Sequence, residues 1–467
     1  MYRGKIKRIH FVGIGGAGMN GIAEVLINMG YEVTGSDIAA SETTKRLSGL
    51  GAVIHIGHRA ENVTGAHCVV YSSAISKDNP ELAAAAAFQI PIIPRAEMLA
   101  ELMRMKFGIA IAGTHGKTTT TSMVSSILGV AGIDPTVVTG GKLNNLGANA
   151  RLGKSEFLVA EADESDGSFL KLSPTIAVVT NIDREHMDHY NSMDDVFAAY
   201  LDFMNKVPFY GCAVICLDHP ALQRLIPDIT RRFVSFGLSA QADVHAGSVK
   251  CRGVESSFDL FYGGASLGRV TIKLPGEHNV YNALGAVAVA RELNIGFEKI
   301  KEGLEEFTGV ERRFHIRGVA GGVTVVDDYG HHPEEIKAVL KTAKNCFDGR
   351  VVAVFQPHRF SRTVDLFEEF LSSFNDADKL VLTGIYPAGE ERMEGVSGES
   401  LYRAIKEHGH KDITYIEDVE KVPAYLDGVA ERGDTVITLG AGNVWKAGVG
   451  LVERLKKRRG SENLRIV

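Results

Sequence analysis

The chain of 467 residues has few cysteines and no long apolar run, and these absences limit what it can be. Its five cysteines form no CxxC pair and no dense framework, so we expect free thiols in a reducing compartment. No stretch of 18 or more apolar residues is present, which excludes an ordinary transmembrane helix. The basic N-terminus runs into a glycine-rich turn and not into a cleavage site, so a buried strand explains it better than a signal peptide.

An excess of positive charge is also lacking. The chain carries 51 Lys and Arg against 57 Asp and Glu, a net charge of −6, and it has no long basic block. Nucleic-acid binding favours a basic face, because the protein must neutralise phosphates. We therefore expect no nucleic acid as a partner and no membrane insertion. Small anionic ligands, which need only local positive charge, remain possible.

Short apolar runs that end in Gly, Asp, Glu or Asn, each followed by a helical stretch, recur along the chain. Such runs are typical of parallel strands covered on both faces, which predicts an α/β fold. The length suggests roughly three domains. Three segments with the strand–turn–helix pattern of nucleotide-binding folds begin near Ile9, Phe107 and Val323. We call them the nucleotide-style segments, and we place the domain boundaries near residues 106 and 312. Ligands are expected at the carboxyl ends of the strands.

The first glycine turn, Gly13–Gly18, fits the G-x-G-x-x-G pattern between a strand-like run and a helix. Asp37 follows a second short strand, where a ribose-binding acid lies in dinucleotide sites. Backbone N–H groups at a helix N-terminus hold any diphosphate, so NAD and a UDP-sugar both satisfy this turn.

The second glycine loop, Gly113–Thr120, carries the stronger signal. It follows an apolar strand and precedes a helix, so its N–H groups can surround phosphates. Lys117 would reach the β- and γ-phosphates, and the Thr118 hydroxyl would bind Mg²⁺. The loop departs from the usual P-loop, because two residues instead of four separate its glycines and Ile111 occupies the expected glycine position.

Carboxylates follow the next apolar run in the segment EADESD. Mg²⁺ needs only one or two protein carboxylates, and Glu161 is favoured because it continues directly from the strand. His186 lies in the following segment, TNIDREHMD. From composition alone it is a structural histidine, since imidazole prefers softer metals than Mg²⁺.

A third set of polar residues follows two later strands, in the segments DDYGHHP and QPHRFSRT. Arg359 and Arg362 stand three apart, so on a helical turn they would share a face and could bind a carboxylate or a phosphoryl group. His331 and His358 in these segments could each act as a base, and the residue types do not decide between them.

Together these motifs resemble the Mur ligase family. The matching phrases occur in family order from residue 11 to about residue 448, and they are GIGGAGMNGIAE, AGTHGKTTTTSM, EADESDGSFL, TNIDREHMDHY, LPGEHNVYNALGA, GVERRF, DDYGHHPEEI, FQPHRFSRT and GAGNVWKAG. The resemblance implies a Rossmann-like UDP-sugar domain over residues 1–106 and a central P-loop ATPase domain over 107–312. It also implies a Rossmann-like domain over 313–467 that binds the amino acid and closes over ATP.

The resemblance also implies a reaction. L-alanine would be joined to the carboxylate of UDP-N-acetylmuramate through an acyl phosphate, with ATP and Mg²⁺ (Mn²⁺ as a substitute), in cytoplasmic peptidoglycan precursor synthesis. The protein would be a monomer or a dimer. A close alternative attaches a preformed tripeptide to the same UDP-sugar. An NAD-dependent oxidoreductase, from a different class, would explain only the first glycine turn.

Residue roles carry over by position. The implied UDP-sugar residues are Gly13, Gly15, Gly16, Ala17, Gly18, Asp37, Ser72 and Ser73. The implied ATP residues are Gly113, Thr114, His115, Gly116, Lys117, Thr118, Thr119, His278, Asn279, Asn282, Arg313 and Asp328. The implied metal ligands are Thr118, Glu161 and, against the composition argument, His186. The implied amino-acid site contains Tyr329, His331, Arg359 and Arg362. The expected catalytic residues are Lys117, His331, Arg359 and Arg362.

One departure concerns the second metal. Several relatives carry a carbamoylated lysine downstream of the HMD histidine, whereas residues 198–204 here contain no lysine and Lys206 comes too late. The alanine-adding branch resembles this chain in lacking that lysine.

Overall fold

The computed structural model describes residues 6–72, 74–139, 150–187 and 189–463, without the side chains of Ala17 and residues 459–463. Ser73, expected in the UDP-sugar site, lies outside the described residues. Within them the strands form three separate sheets, as the three nucleotide-style segments predict. No described helix combines the length and the apolar character needed to cross a bilayer.

The first sheet has five parallel strands in the order β3-β2-β1-β4-β5. These are β1 Arg8–Val12, β2 Glu32–Asp37, β3 Val53–Ile56, β4 Cys68–Tyr71 and β5 Ile92–Pro94. Its helices are α1 Ala17–Asn28, α2 Glu42–Gly49, α3 Pro80–Ala87 and α4 Arg95–Arg104. The strand order reverses between β1 and β4, and open sheets of this kind bind ligands at that point.

The central sheet has the order β15-β14-β13-β12-β11-β10-β6-β9-β7-β8. Its strands are β6 Phe107–Ala112, β7 Thr136–Val138, β8 Ala150–Arg151, β9 Phe157–Glu161, β10 Ile176–Val179, β11 Cys212–Cys216, β12 Phe233–Gly237, β13 Val244–Arg252, β14 Glu255–Tyr262 and β15 Ala265–Ile272. Its helices are α5 Lys117–Val130, α6 Met193–Asn205, α7 Pro220–Leu225, α8 Glu277–Glu292 and α9 Phe297–Glu305. Strands β10, β6 and β9 are parallel neighbours, so the segments that follow them meet at one edge.

The third sheet has the order β16-β17-β21-β18-β19-β20, in which β16 is antiparallel to β17. Its strands are β16 His315–Ala320, β17 Val323–Asp328, β18 Val351–Phe355, β19 Lys379–Leu382, β20 Ile413–Tyr415 and β21 Thr435–Leu439. Its helices are α10 Pro333–Cys346, α11 Phe360–Asp365, α12 Phe367–Leu371, α13 Gly398–Glu407, α14 Val422–Val429 and α15 Trp445–Asn463. Parallel neighbours β17, β21 and β18 bring three polar segments to one edge.

Strand β18 shows why these strands are apolar throughout. Successive side chains point to opposite faces, so Ala353 and Phe355 pack in a core cluster with residues of α10 and α13. Val352 and Val354 pack in a second cluster with residues of α14 and α15. Both faces of the strand are covered, which confirms the interpretation of the continuous apolar run.

The chain divides into two compact units, and the division does not follow the expected three domains. The first unit contains residues up to 248 together with 258–271 and 281–310, and the second contains 249–257, 272–280 and the chain from 311 onward. The boundaries near residues 106 and 312 therefore stay a prediction.

Two of the five cysteines are paired, so the expectation of free thiols is wrong for them. Cys251 and Cys346 form a disulfide, with their Cα atoms 5.3 Å apart. Cys68, Cys212 and Cys216 are free, as expected, and all three are buried. A separation of 95 residues in the sequence gave no sign that the two chain segments meet.

Glu81 of α3 is a fully buried carboxylate surrounded by polar partners. Ser36 Oγ donates to it at 2.5 Å, Asn62 Nδ2 donates at 2.5 Å, and His58 Nδ1 lies 3.0 Å away. Burial raises the pKa of Glu81, but hydrogen bonds from these residues and His10 outweigh it and lower the pKa to about 2. The folded protein therefore holds this carboxylate in its charged form.

We expect Glu81 to contribute to acid stability. A depressed pKa stabilises the fold above the ordinary value of 4.5, and this contribution is lost as the pH falls toward 2. Its size is on the order of 3 kcal/mol. Urea unfolding between pH 2 and 6 should show a smaller pH dependence in Glu81→Gln than in the wild type. Glu32→Gln, at an exposed ion pair, serves as the control.

Candidate active site

The first glycine turn connects β1 to α1. Gly13 has a φ of +79°, which favours glycine, and the N–H groups of Gly13 and Ile14 donate to the Ser36 carbonyl at 2.9 and 3.0 Å. The N–H of Gly15 donates to Asp37 Oδ2 at 2.8 Å. Asp37 thus lies at the turn, and its expected contact with the UDP-sugar stays a prediction.

Ser72 and Gly16 also lie at this turn. A Cβ built on Gly13 would be 4.0 Å from the Cβ of Ser72, which directly follows β4. Gly16 precedes α1, and its carbonyl accepts the N–H groups of Met19 and Asn20. The structure therefore brings the described members of the expected UDP-sugar site together at the end of β1.

Arg95, at the start of α4, is a residue that the motifs did not reveal. A Cβ built on Gly18 would lie 2.6 Å from Arg95 Nη1, so the guanidinium packs directly against this glycine. Arg95 Nη2 is paired with Asp163 Oδ2 at 3.1 Å. In the sequence, Arg95 lies in the segment PIIPRAEMLAELMRMK, whose prolines indicated a linker before a helix and gave no sign of a binding residue.

Residues that follow β10 form hydrogen bonds to the second glycine loop. Asn181 accepts the N–H of His115 through Oδ1 at 2.7 Å and donates to the His115 carbonyl through Nδ2 at 3.0 Å. Thr180 Oγ1 donates to the same carbonyl at 2.6 Å. Thr114 Oγ1 accepts the N–H of Asp183 at 2.8 Å. The loop backbone is thereby fixed before any phosphate binds.

We expect Asn181→Ala to raise KM for ATP about tenfold, because two hydrogen bonds that shape the loop are lost. KM for the other substrates should not change. Steady-state kinetics with each substrate varied in turn measures this. Asn205→Ala is the matched control, since Asn205 also bonds to backbone groups, those of Thr230 and Asp228. An equal rise in every KM would point to general destabilisation.

Lys117 is held by a carboxylate in this structure. Its Nζ donates to Glu164 Oε1 at 2.7 Å and to the carbonyls of Gly113 and Thr114 at 2.6 and 3.1 Å. Burial lowers the pKa of Lys117, but Glu164 and neighbouring carboxylates outweigh it and raise the pKa. The lysine is therefore charged, at the position where a P-loop lysine meets phosphate.

Glu164 is a second residue that sequence reasoning did not single out. Burial raises its pKa to about 7, against the effect of Lys117. Its Oε1 lies 3.8 Å from His186 Nε2, and its Oε2 is buried without a hydrogen-bond partner. Glu161 ends β9 beside Ile111 of β6. A buried carboxylate oxygen lacking a partner beside these residues fits a cation.

The three residues expected to bind ATP at the start of α8 have different neighbours. Asn282 lies against the second glycine loop, because a Cβ built on Gly116 would be 2.3 Å from its Oδ1. His278 is near Arg313, and Thr342 Oγ1 lies 3.4 Å from its Nδ1. Burial, aided by Arg313, lowers the pKa of His278 to about 4, so this imidazole is neutral. Asn279 Nδ2 donates to the Pro275 carbonyl.

Asp328 organises the end of β17. Its two oxygens accept the N–H groups of Phe314 and Gly330, both at 2.7 Å. Burial raises its pKa to about 6, opposed by Arg313. Arg313 also pairs with Glu335 at 3.1 Å. The roles expected for Asp328 and Arg313 in ATP binding stay predictions.

Arg312, next to Arg313, was missed by the motif reading. It has a φ of +62° and donates to the carbonyls of Gly440, Ala441 and Gly442, while its Nε pairs with Asp327 at 3.1 Å. This residue fixes the glycine turn that follows β21. The doubled arginine in GVERRF was the available signal.

The residues expected to bind the amino acid form one cluster. The rings of His331 and His358 lie 6.0 Å apart, and those of Tyr329 and His331 lie 5.5 Å apart. Arg362 Nη1 is 3.3 Å from His358 Nδ1. Arg359 immediately precedes α11 with a φ of +71°. Burial and the nearby cations lower the pKa of His358 to about 4, so it is a neutral base at pH 7.

Comparison with known proteins agrees with these three sheets and their loops. Residues 8–107 match the Mur ligase family catalytic domain, 111–290 the Mur ligase middle domain and 312–442 the Mur ligase glutamate ligase domain. The UDP-N-acetylmuramate–L-alanine ligase of Geobacter sp. (strain M21) is 58% identical over 98% of this chain and 100% of its own. The chain belongs to the Mur ligase family.

Other Mur ligases extend the comparison. The enzyme of the same name from Sorangium cellulosum is 55% identical over 98% of each chain. The crystal structure of the UDP-N-acetylmuramate–alanine ligase MurC from Thermotoga maritima matches with a TM-score of 0.80 and 30% identity, over 97% of this chain and 99% of its own. A murein peptide ligase from Psychrobacter arcticus, at 22% identity and a TM-score of 0.70 over 96% and 99%, shares the fold.

Membership of the Mur ligases confirms the family resemblance and the three-domain α/β fold class.

Lys206 is the lysine that comes too late in the sequence to match the carbamoylated lysine of several relatives. Its side chain is at the surface, where Nζ contacts the Leu170 carbonyl. The individual site assignments, including the metal ligands Thr118, Glu161 and His186, stay predictions.

Proposed function

We propose that this Mur ligase joins L-alanine to the carboxylate of UDP-N-acetylmuramate, with ATP converted to ADP and phosphate. The observation that carries the proposal is the 58% identity over almost the full length to a ligase of that name. The position of Lys117 between two carbonyls of the glycine loop and a carboxylate supports it. Nicotinamide chemistry would leave that loop without a role.

The P-loop residues bind ATP. Backbone N–H groups of Gly116–Thr119 surround the phosphates, while those of Thr114 and His115 hold the loop to Asn181. Lys117 neutralises the β- and γ-phosphates. Thr118, Glu161 and His186 would hold Mg²⁺, for which Mn²⁺ can substitute. When bound, the metal would neutralise part of the phosphate charge. The unpartnered Oε2 of Glu164 supports a cation at this position.

The reaction then needs positioning more than covalent chemistry by the protein. A carboxylate oxygen of the UDP-sugar attacks the γ-phosphorus, which gives an acyl phosphate and ADP. The amine of L-alanine attacks the acyl carbon, and phosphate leaves from the tetrahedral intermediate as the amide forms. Arg359 and Arg362 neutralise the developing oxyanions. The amine proton passes to His358 or His331.

The physiological setting belongs to the same proposal. The enzyme acts in the cytoplasm on a peptidoglycan precursor, as a monomer or a dimer. Its partners are the small molecules UDP-N-acetylmuramate, L-alanine and ATP.

ADP release by the purified protein tests the proposal. UDP-N-acetylmuramate and Mg²⁺-ATP are combined with L-alanine, glycine, L-serine or the tripeptide. Release that requires both the UDP-sugar and L-alanine is expected, with glycine and L-serine weaker. Release with the tripeptide alone would assign the chain to the recycling reaction, and no release with any pair would contradict ligation. NAD should not raise the melting temperature, whereas ATP and the UDP-sugar should.

A further inference from the structure

The guanidinium of Arg95 lies against Gly18 of the first glycine turn. A Cβ on Gly18 would be 2.6 Å from Nη1 and 2.9 Å from Cδ of Arg95, so no larger residue leaves the guanidinium in place. Gly18 belongs to the first turn of α1, where helix N–H groups favour a bound anion. The cation therefore lies directly beside the place where a diphosphate would bind.

The same turn carries a negative charge of its own. The Asp37 carboxylate accepts the N–H of Gly15, and the Ser36 carbonyl accepts those of Gly13 and Ile14. Several turn amides are therefore already engaged, and a diphosphate near Asp37 would meet a like charge. A guanidinium at Gly18 offsets that repulsion, and its planar donors match two phosphate oxygens.

The partner of Arg95 in this structure is exchangeable. Asp163 Oδ2 lies 3.1 Å from Arg95 Nη2, and the side chain of Asp163 is 43% exposed. Partly exposed ion pairs of this kind stabilise a fold little. A phosphate oxygen can therefore replace the carboxylate without large cost to the fold.

We propose that Arg95 binds the diphosphate of the UDP-sugar, exchanging Asp163 for phosphate oxygens. This inference rests on the proposed function, because it requires the first glycine turn to be the UDP-sugar site. Arg95 is then a substrate-binding residue contributed by α4 and not by a glycine motif. Asp163 holds the guanidinium beside the turn when the site is empty.

Calorimetric binding of UDP-N-acetylmuramate, UDP and uridine to the full chain tests the proposal. Arg95→Ala should weaken binding of UDP-N-acetylmuramate and UDP by about 10- to 100-fold, and Arg95→Lys should weaken it less, because charge remains without the planar donors. Binding of uridine, which lacks the diphosphate, and KM for ATP should stay within twofold. Arg104→Ala, at the other end of α4 in an exposed pair with Glu101, is the matched control.

Asp163→Asn separates ligand binding from a merely structural ion pair. If Arg95 served only to pair with Asp163, the two substitutions would weaken UDP binding alike, and that result would overturn the inference. We expect Asp163→Asn to retain or tighten UDP binding. Should Arg95→Ala fail to fold, Arg95→Gln and Arg95→Lys provide the same comparison.

Failure of the inference is distinguishable from failure of the proposed function. Wild-type protein that does not bind UDP-N-acetylmuramate would contradict the function itself. If the wild type binds UDP-N-acetylmuramate and Arg95→Ala binds it equally tightly, only the role of Arg95 is overturned.

Discussion

Replacing Lys117 by alanine should lower kcat by about 10²- to 10³-fold. The Nζ atom lies within the glycine loop, 2.6 and 3.1 Å from two of its carbonyls, so the loop directs the charge to the phosphate position. Because charge builds on the transferred phosphoryl group as the reaction proceeds, the loss should affect kcat more than KM for the UDP-sugar.

ADP release under saturating substrates measures this effect. Lys154→Ala, at an exposed lysine of the same domain, should keep full activity. Lys117→Arg should recover little, because the loop is shaped for a single ammonium group. Retention of more than a tenth of the normal kcat by Lys117→Ala would contradict the phosphate role.

Replacing His358 by alanine should lower kcat/KM for L-alanine by about 10²-fold or more, if this imidazole takes the amine proton. Its pKa of about 4 means that it is deprotonated throughout the range from pH 5 to 8. In the pH profile of kcat at saturating L-alanine, the acid limb due to this imidazole should therefore lie near pH 4, and it should vanish in His358→Ala.

His331→Ala provides the comparison, because the two rings lie 6.0 Å apart in the same cluster. A larger loss in His331→Ala, with the acid limb unchanged in His358→Ala, would assign the proton to His331. His408→Ala, in the loop after α13, should leave the profile unaltered.

The sequence predicted the features that depend on short-range patterns. Continuous apolar runs such as Val351–Phe355 identify strands because both faces of the sheet are covered. Glycines at Gly13, Gly113 and Gly116 identify turns because each has a positive φ. The polar residues after β6, β9 and β10 meet because parallel neighbours end at one edge of the sheet.

Contacts between distant segments could not be predicted in this way. Arg95 meets Gly18 and Asp163 only through the packing of α4, and no spacing in the sequence encodes that contact. Within EADESD, strand continuity favoured Glu161, whereas the ion pair with Lys117 is made by Glu164. The pairing of Cys251 with Cys346 likewise depends on how the segments fold together.

The contact between Lys117 and Glu164 bears on how the product leaves. If Lys117 binds nucleotide as proposed, an incoming phosphate exchanges one anion for another at the lysine, so nucleotide affinity would reflect the difference between two ion pairs and not the full strength of one. On departure of ADP the lysine would return to the Glu164 carboxylate instead of to water, which would lower the cost of separating the charges. The charge of Lys117 is already neutralised in the empty site, so we expect this site to release its product readily.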